Sequence, residues 1–306
     1  MIERGRRVGV LLGGMSAERP VSLKSGAAVA GALRRRGWDV VEIDVGRDLP
    51  AKLVAEKVDV AWLALHGEYG EDGCVQGLCE VMGIPYTGSG VRASAVAMDK
   101  VATKRALRGT DGIVMAADAV WRAGEPMPTS VPFPLMVKPP TSGSTIGMTI
   151  AKSADELRKG LDEALKYGEE VLLEQFVDGD EITVAVIDGT PLPVVRILPD
   201  SGFFDFEAKY TKGKTTYEVP AKISDASAAA AHRAAVAAYR ALGCRGLCRV
   251  DFIVRADGVP VFLEINTLPG MTETSLSPMA AGQVGTSFED LVERILLSAT
   301  CMAASR

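Results

Sequence analysis

Short apolar runs alternate with amphipathic segments through the first ninety residues and predict strands and helices in turn. The run RVGVLL (7–12) predicts a buried strand, and the helical pattern that follows it ends at Gly37, a residue type that commonly terminates helices. DVVEIDV (39–45) and VDVAWLALHG (58–67) predict two further strands. A strand, a helix and a strand in this order favour a parallel sheet, so the chain is expected to open with an α/β domain.

The middle of the chain alternates between helical and strand patterns around one glycine-rich loop. A helix is predicted from about Ala93 to Arg108, and a later strand ends at Lys138. The loop TSGSTIGM (141–148) follows this strand, and a helix and a further strand come after it. Small residues with bare backbone amides after a strand are typical of phosphate-binding loops, although many Gly-Ser loops are only turns.

Three domains account for this order of elements. We predict an N-terminal α/β domain over residues 1–95, a central domain over 96–178 and a C-terminal domain over 179–306. Within the last, residues 201–220 form a long connection with three lysines and five aromatic residues. A connection of that length is usually disordered or functional, and its aromatic content argues against disorder, so we predict a lid.

Residues 249–270 carry the most specific chemical pattern in the chain. Asp257-Gly258 separates two apolar runs and is typical of a hairpin with a two-residue turn. In that register Asp251 faces Glu264 and Arg249 faces Asn266, with all four side chains on one face. The opposite face would carry Val250, Phe252, Leu263 and Ile265.

Two opposed carboxylates on one sheet face repel each other unless a cation lies between them. Asp251, Glu264 and the amide oxygen of Asn266 are all-oxygen ligands, which suit magnesium shared with nucleotide phosphates. A solvated hairpin face with incidental charges is the alternative. We interpret the hairpin as a metal site.

Composition restricts the class of protein further. The 306 residues are 47% hydrophobic and 24% charged with a net charge of −5, an ordinary globular balance without a basic block for nucleic acid. The apolar runs are too short for a membrane span or a signal peptide. Five cysteines without a C-x-x-C pair favour unpaired thiols in a reducing cytoplasm. We therefore expect a cytoplasmic protein that binds neither nucleic acid nor membrane.

Two residues near the ends of the first and third strands could take part in chemistry. Glu18 lies in the loop after the first strand and His66 ends the third, where ligands of open α/β sheets bind. Alternatively, Glu18 favours a helix dipole and His66 bonds to the backbone. A dinucleotide-binding domain is disfavoured because the G-x-G-x-x-G fingerprint is missing.

The segments RVDF and LEINTLPGMTETSLSPMAA resemble the C-terminal region of D-alanine–D-alanine ligases, which are ATP-grasp enzymes. GGMSAERPVSLKSGAAV and ALHGEYGEDGCVQG resemble the first two signature regions of the same family, and the likeness extends over nearly the whole chain. It implies a three-domain ATP-grasp fold of the α/β class, with the nucleotide between the central and C-terminal domains. It also implies ligation of two D-alanine molecules through an acylphosphate, for peptidoglycan precursors, by a homodimer.

The resemblance further implies a role for each matching residue. The phosphates of ATP would be bound by Lys100, Lys138 and Lys209, with Ser144 in the phosphate loop, and its adenine and ribose by Glu174, Phe176, Val177 and Glu181. Catalysis would depend on Glu18, Ser144, Tyr210, Arg249 and Gly270. The D-alanine substrates would contact Glu18, His66, Arg249, Gly270, Ser275 and Leu276. Two Mg²⁺ or Mn²⁺ ions would be held by Asp251, Glu264 and Asn266.

Two positions depart from the family pattern. Thr145 stands where a second serine is common in the phosphate loop, and Gln175 takes a place often held by lysine beside the adenine site.

Two other functions are alternatives to a D-alanine–D-alanine ligase. Another ATP-grasp carboxylate–amine ligase would share the hairpin but need not share the other signatures. A non-catalytic nucleotide-binding protein would be expected to lose Arg249 or a metal carboxylate, and none is lost.

Overall fold

A computed structural model describes residues 2–141, 143, 147–200 and 213–302. Within them the chain forms three sheets with helices packed between and around them. Seen in chain order, a parallel sheet comes first, a four-stranded antiparallel sheet lies in the middle, and a larger sheet contains the hairpin. The predicted α/β class with an N-terminal parallel sheet is confirmed.

The first sheet has the parallel order β2-β1-β3, as the opening pattern predicted. Its strands and helices are β1 (Arg7–Leu12), α1 (Arg19–Arg35), β2 (Asp39–Asp44), α2 (Leu49–Ala55), β3 (Val60–Leu63) and α3 (Cys74–Met82). Helix α1 begins with Pro20 in its first turn and stops before Gly37, whose φ of 79° favours glycine. Helix α2 was not predicted.

The helix predicted from Ala93 to Arg108 is two helices, α4 (Val91–Met98) and α5 (Lys100–Leu107). Asp99 separates them in an extended conformation, and its carboxylate accepts hydrogen bonds from Val101 N at 2.8 Å and Ala102 N at 3.0 Å. An aspartate in this position caps a new helix rather than continuing the old one. The break places Lys100 at the first position of α5.

The four-stranded sheet has the order β5-β8-β6-β7 with antiparallel pairing throughout. Its elements are β5 (Asp118–Arg122), β6 (Leu135–Lys138), β7 (Thr149–Ala151), α6 (Ala154–Ala164) and β8 (Glu170–Gln175). Ser153 caps α6, because its Oγ accepts a hydrogen bond from Glu156 N at 3.3 Å. Strand β6 ends at Lys138 as predicted.

The large sheet has the order β12-β11-β9-β13-β14-β4, with β10 paired to β9. Its strands are β4 (Val114–Met115), β9 (Asp180–Ile187), β10 (Thr190–Pro191), β11 (Val195–Pro199), β12 (Thr215–Glu218), β13 (Leu247–Val254) and β14 (Pro260–Asn266). Helix α7 (Asp225–Leu242) packs against the face that carries Val250 and Phe252. The C-terminal helices are α8 (Leu276–Gln283) and α9 (Phe288–Leu297).

The predicted pairs of the hairpin are confirmed, but the predicted turn is wrong. Asp251 pairs with Glu264 and Arg249 with Asn266. The loop has three residues (256–258), because Arg255 N donates to Val259 O at 3.1 Å and Gly258, with φ of 83°, completes the turn. A bulge compensates for the longer loop, since Phe252 pairs with Phe262 and leaves Leu263 as the extra residue.

This bulge corrects the prediction for the apolar face of the hairpin. Phe262 is completely buried against the core, whereas Leu263, predicted to be buried, is only partly covered. Val250, Phe252 and Ile265 are buried as predicted. Beyond the bulge the two strands return to the register that brings the carboxylates together.

The predicted lid (201–220) is only partly covered by the structure. Residues 201–212 lie outside the described residues. Thr215–Glu218, near the end of the predicted lid, form strand β12 at the edge of the large sheet and pair with β11, and the lid itself stays a prediction. No described helix has the length and apolar character needed to cross a membrane. The domain limits at 95 and 178 remain predictions, and β4, which lies between them, pairs with β14.

Candidate functional site

A cavity of about 530 Å³ brings together residues from distant parts of the chain. Its walls come from the loop after β1, the end of β3, the start of α5, the polar face of the hairpin and the segment that leads into α8. The predicted site residues that line it are Glu18, His66, Lys100, Arg249, Glu264, Asn266, Gly270, Ser275 and Leu276. Residues that were selected from four separate motifs therefore share one site.

Arg249, which lines the cavity, forms a bidentate ion pair with Asp251. Arg249 Nε donates to Asp251 Oδ1 at 3.0 Å, and a terminal guanidinium nitrogen donates to Oδ2 at 2.8 Å. Thr183 on β9 donates its hydroxyl to Asp251 Oδ1 at 2.5 Å. Asp251 is only 6% exposed, so its charge is fixed in place by these contacts. The guanidinium of Arg249 lies at the cavity wall.

The other carboxylate of the hairpin is also near a cation. Glu264 Oε2 lies 3.3 Å from Lys100 Nζ, and Glu264 remains partly exposed in the cavity. The repulsion predicted between Asp251 and Glu264 is thus offset by Arg249 and Lys100. Asn266 Oδ1 accepts a hydrogen bond from Leu268 N at 3.0 Å, which orients the amide oxygen.

This donor set fits a hard divalent cation in its chemistry. Two carboxylates that face each other across β13 and β14, with an amide oxygen one residue pair away, are the ligand types that Mg²⁺ prefers. No three His, Cys, Asp or Glu side chains in the described ranges form a ligand cluster of their own. A metal at the hairpin would therefore complete its coordination with oxygens from a substrate or water.

Glu18 lies where the N-terminal sheet meets the glycine-rich loop. It is 9% exposed and occupies the N-cap position of α1, but its side chain does not cap the helix. A Cβ added at Gly143 would lie 3.0 Å from Glu18 Oε2, and one at Gly67 would lie 2.8 Å away. Glycine at both positions lets two loops approach the carboxylate. The position at the start of α1 is also one where the helix dipole favours a carboxylate.

His66 is buried in the loop that follows β3, because the strand predicted to reach it ends at Leu63. Its Nε2 lies 3.4 Å from Ser25 Oγ, which also accepts a hydrogen bond from Met271 N at 3.2 Å. Burial lowers the pKa of His66, and this effect exceeds the opposing one of the nearby Glu18 carboxylate. The imidazole is therefore neutral at neutral pH.

Glu71 lines the same cavity and was not predicted as a site residue. Its Oε1 accepts a hydrogen bond from Gly67 N at 2.8 Å, whereas Oε2 is buried with no hydrogen-bond partner among the described residues. Burial, with the charge of Glu18 as a second cause, raises the pKa of Glu71 to about 8. Glu71 therefore presents a protonated carboxyl group to the cavity at neutral pH.

The segment before α8 forms another part of the cavity wall. Ser275 is the N-cap residue of this helix, and its Oγ accepts a hydrogen bond from Thr272 N at 3.0 Å. Gly270 packs beside it, because an added Cβ would lie 3.3 Å from Ser275 Oγ. Leu276 is the first helical residue. Backbone amides at the start of a helix favour an anionic group, which matches the expected role of Ser275 and Leu276.

Two of the predicted ATP residues form a buried ion cluster with an unpredicted lysine. Glu174 on β8 contacts the ammonium groups of both Lys138 and Lys104 through separate oxygens. Burial would raise the pKa of Glu174, but the charges of Lys138 and Lys104 outweigh it and lower the pKa. The side chain of Glu174 is therefore engaged with lysines, although the resemblance implied a contact with adenine or ribose.

The remaining predicted ATP residues lie at the edges of the two antiparallel sheets. Phe176 N donates to Pro134 O at 2.9 Å just after β8, and Val177 follows it. Glu181 lies on β9 and pairs with Ile253 in the hairpin strand. Ser144 and Thr145 of the phosphate loop, and Lys209 and Tyr210, lie outside the described residues. Gln175 is the last residue of β8 and is exposed.

Several residues of the site escaped the sequence reasoning. Lys104 follows Lys100 by four residues, and Glu71 lies within the quoted signature ALHGEYGEDGCVQG, so both had a signal in the sequence. Ser25, Thr183 and Tyr217 carried none, because only the packing of distant segments brings them to the site.

The three sheets and the carboxylate-bearing hairpin define the ATP-grasp class of enzymes. The family pattern described as D-ala D-ala ligase C-terminus matches residues 116–297, and that described as D-ala D-ala ligase N-terminus matches residues 48–89. The chain belongs to the D-alanine–D-alanine ligase family.

Similar proteins cover almost the full length of the chain. D-alanine–D-alanine ligase of Syntrophotalea carbinolica is 51% identical over 296 residues, 96% of each chain. The ligase of an Anaeromyxobacter species is 51% identical over 303 residues, 98% of each. A crystal structure of D-alanine–D-alanine ligase from Bacillus anthracis complexed with ATP has a TM-score of 0.84 at 34% identity, covering 96% of this chain and 97% of that one.

Proposed function

We propose that this protein joins two molecules of D-alanine into D-alanyl-D-alanine at the expense of ATP, through an acylphosphate. One observation carries the proposal: Arg249, Glu264 and Asn266 of the hairpin line the same cavity as Glu18, His66 and the start of α8. This arrangement provides separate partners for a phosphoryl donor and for two amino acids. The relatives of known name, one of them bound to ATP, support the same activity.

ATP is the phosphoryl donor and would lie between the four-stranded sheet and the large sheet. Lys100 and Lys138 supply positive charge for its phosphates, and Phe176, Val177 and Glu181 contribute to the adenine and ribose region, with Glu174 acting through the lysines. The Ser144 hydroxyl and the Lys209 side chain are proposed to join them. Phosphoryl transfer depends mainly on position and charge neutralisation, which suits a site with several fixed cations.

The hairpin provides the metal ligands for this step. Asp251, Glu264 and Asn266 would hold two Mg²⁺ or Mn²⁺ ions. Bound there, divalent cations supply neutralisation of the nucleotide phosphates while the γ-phosphoryl group moves.

The first D-alanine binds with its ammonium group at Glu18. Its carboxylate attacks the γ-phosphorus of ATP, and the products are ADP and D-alanyl phosphate. Glu18 suits this task because its carboxylate lines the cavity and is largely buried close to Gly67 and Gly143. Ser144 and Tyr210 are proposed to link Glu18 to the phosphate loop.

The second D-alanine binds with its carboxylate at the start of α8. Backbone amides near Ser275 and Leu276 suit this anion, and the neutral imidazole of His66 lies on the same side of the cavity. The free amine of the second D-alanine attacks the acyl carbon of D-alanyl phosphate. The carbonyl oxygen then becomes negative, and phosphate leaves as the peptide bond forms.

Arg249 and Gly270 stabilise that negative oxygen. The Arg249 guanidinium is held by Asp251, which restricts it to one position at the cavity wall. The Gly270 amide is the proposed second donor. Fixed donors aimed at a developing charge lower the barrier because they need little reorganisation during the reaction.

The biological setting follows from the product. D-Alanyl-D-alanine is a precursor of peptidoglycan, and we propose that the enzyme supplies it in the cytoplasm as a homodimer. Neither nucleic acid nor membrane is a proposed partner.

The experiment that tests the activity measures both products of one reaction. Purified protein is mixed with ATP, Mg²⁺ and D-alanine, and released phosphate and dipeptide mass are followed together. We expect one phosphate per D-alanyl-D-alanine and no dipeptide when L-alanine replaces D-alanine. Phosphate release without dipeptide, or no dependence on D-alanine, would contradict the proposal.

A further inference from the structure

Three charged side chains meet in the interior where α5 packs against the four-stranded sheet. Lys104 is 2% exposed, Lys138 4% and Glu174 3%, and each ammonium group contacts one oxygen of the single carboxylate. Two positive charges and one negative charge leave the cluster with a net charge of +1. We call Lys104, Lys138 and Glu174 the buried triad.

The sheet and helix α5 fix the positions of all three side chains. Met136 on β6 pairs with Glu174 on β8, and Lys138 lies two residues beyond Met136. Residues two apart on a strand share a face, so Lys138 and Glu174 are diagonal neighbours on one face of the sheet. Lys104 reaches the same carboxylate from the buried side of α5, one turn after Lys100.

Stability alone does not account for three buried charges. Each ion loses hydration on burial, and pairing recovers only part of that loss, so apolar residues of similar volume often serve a core equally well. The lowered pKa of Glu174 shows that the carboxylate stays ionised, with both lysines as the cause that outweighs burial. The distinguishing property of the triad is therefore its surplus positive charge, directly before the glycine-rich loop.

We propose that Lys104 is a positioning residue for the nucleotide phosphates: it neutralises Glu174, so that the positive charge of Lys138 remains available to the phosphate chain. This inference rests on the proposed ATP-dependent function and assigns a role to a residue that the sequence signatures left unassigned. Lys104 itself acts through Glu174 and Lys138.

Without Lys104 the balance of charge changes. Glu174 would engage Lys138 with both oxygens, and the resulting pair would be neutral. A neutral pair attracts an anionic phosphate chain much less than a surplus cation does. The loss should affect ligands in proportion to their phosphates and should spare the contacts made by adenine and ribose.

The test compares the binding of ATP and adenosine to intact protein by isothermal titration calorimetry with Mg²⁺ present. Lys104→Met keeps the length of the side chain and removes its charge. We expect its Kd for ATP to rise about 10- to 100-fold, as for the loss of one close charge partner, with the Kd for adenosine within about twofold of wild type. Arg105→Met is the matched control, because Arg105 is exposed on the same helix and its loss should leave both constants unchanged.

A second variant separates charge from structure. Lys104→Met combined with Glu174→Gln removes one charge of each sign and restores the net charge of +1. We expect the ratio of the adenosine Kd to the ATP Kd to return to within about threefold of wild type. This ratio also tests the role of Lys104 if the single variant does not fold.

The outcomes distinguish the two proposals. If wild-type protein does not bind ATP, the proposed function fails. If wild type binds ATP and folded Lys104→Met binds it equally well, only the role of Lys104 fails. The double variant gives a further test of the role of Lys104. If it is folded and its ratio of adenosine Kd to ATP Kd is still at least tenfold below that of wild type, this role is overturned.

Discussion

Arg249 projects from β13 into the cavity with its direction set by its own neighbour Asp251. The ion pair has two hydrogen bonds, and Asp251 is in turn fixed by Thr183. A guanidinium held in this way can serve as a preorganised donor, because the cost of ordering it was met when the chain folded. The structure therefore gives a physical basis to a role that the family resemblance had only implied.

Arg249→Met should impair chemistry more than nucleotide binding. We expect kcat for dipeptide formation to fall roughly 10²- to 10³-fold, as for the loss of one oxyanion donor, with the Kd for ATP little changed. Steady-state kinetics and calorimetry together provide the two numbers. A variant that raised only the KM for ATP and kept kcat would show that Arg249 is a nucleotide ligand.

Glu71 also lines the cavity, but its Oε2 has no hydrogen-bond partner among the described residues. Ionisation of this buried carboxyl group is therefore costly. Its pKa in the folded protein is about 8, above the usual value of 4.5. Between these two values the unfolded chain has lost the proton and the folded chain keeps it. Folding stability therefore falls as pH rises through this window, and the contribution of the protonated carboxyl is lost above about pH 8.

Glu71→Gln should remove this pH dependence, since the amide keeps the shape and cannot ionise. We expect the variant to gain stability relative to wild type between pH 5 and 8, by up to about 1.4 kcal/mol per pH unit. Urea unfolding of both proteins at several pH values measures the difference. A constant difference across that range would mean that Glu71 is ionised in the folded protein.

Site residues that lie in contiguous motifs can be identified from the sequence. Those that reach the site only through the packing of distant segments cannot. Glu18, His66 and Arg249 each lie in a recognisable segment, and the structure brings all three to one cavity. Lys104 was missed because helical spacing places it near Lys100 without indicating that it turns inward to Glu174. Thr183 acquires its contact with Asp251 only through the pairing of β9 with β13.

At the scale of elements, the break between α4 and α5 matters most for the site. Asp99 caps α5, which puts Lys100 at its first position and Lys104 one turn later. The backbone of Lys100 is fixed further by a hydrogen bond from its N to Pro140 O at 2.9 Å. The apolar periodicity continued through residue 99, so the pattern alone predicted one helix.

Asp99→Ala should destabilise the protein by about 1 kcal/mol, because two amides at the start of α5 lose their acceptor. Differential scanning calorimetry should show a lower Tm for this variant. Asp99→Asn keeps a capping oxygen and should stay close to wild type. Equal losses for the alanine and asparagine variants would indicate that charge, and not capping, explains the role of Asp99.

The hairpin shows how a correct result can follow from a partly wrong prediction. The turn includes one more residue than predicted, Ala256 on the β13 side, and the bulge at Leu263 adds one residue to β14. The two deviations cancel between the turn and the carboxylates, so Asp251 still faces Glu264. Bulges depend on packing of large side chains such as Phe262, which the alternation of residue types does not specify.

At the scale of the molecule, the cavity is built from segments that lie far apart in the chain. Glu18 and His66 follow strands of the parallel sheet, Gly143 follows β6 of the four-stranded sheet, and Arg249 lies on β13 of the large sheet. The order of strand and helix patterns predicted this architecture, since each unit is continuous in sequence. The angle and distance between the units follow from contacts far apart in the chain, so the cavity could not be predicted in the same way.

We propose that the cavity activates the carboxylate of one D-alanine by phosphorylation and transfers the acyl group to a second. The most direct test uses D-alanine labelled with ¹⁸O at both carboxylate oxygens, with ATP and Mg²⁺, and determines the mass of the released phosphate. Attack of a carboxylate on the γ-phosphorus leaves one oxygen of D-alanine on phosphorus when the acylphosphate is consumed. We expect one ¹⁸O atom in each phosphate for each dipeptide formed, and unlabelled phosphate accompanying dipeptide would contradict the acylphosphate mechanism.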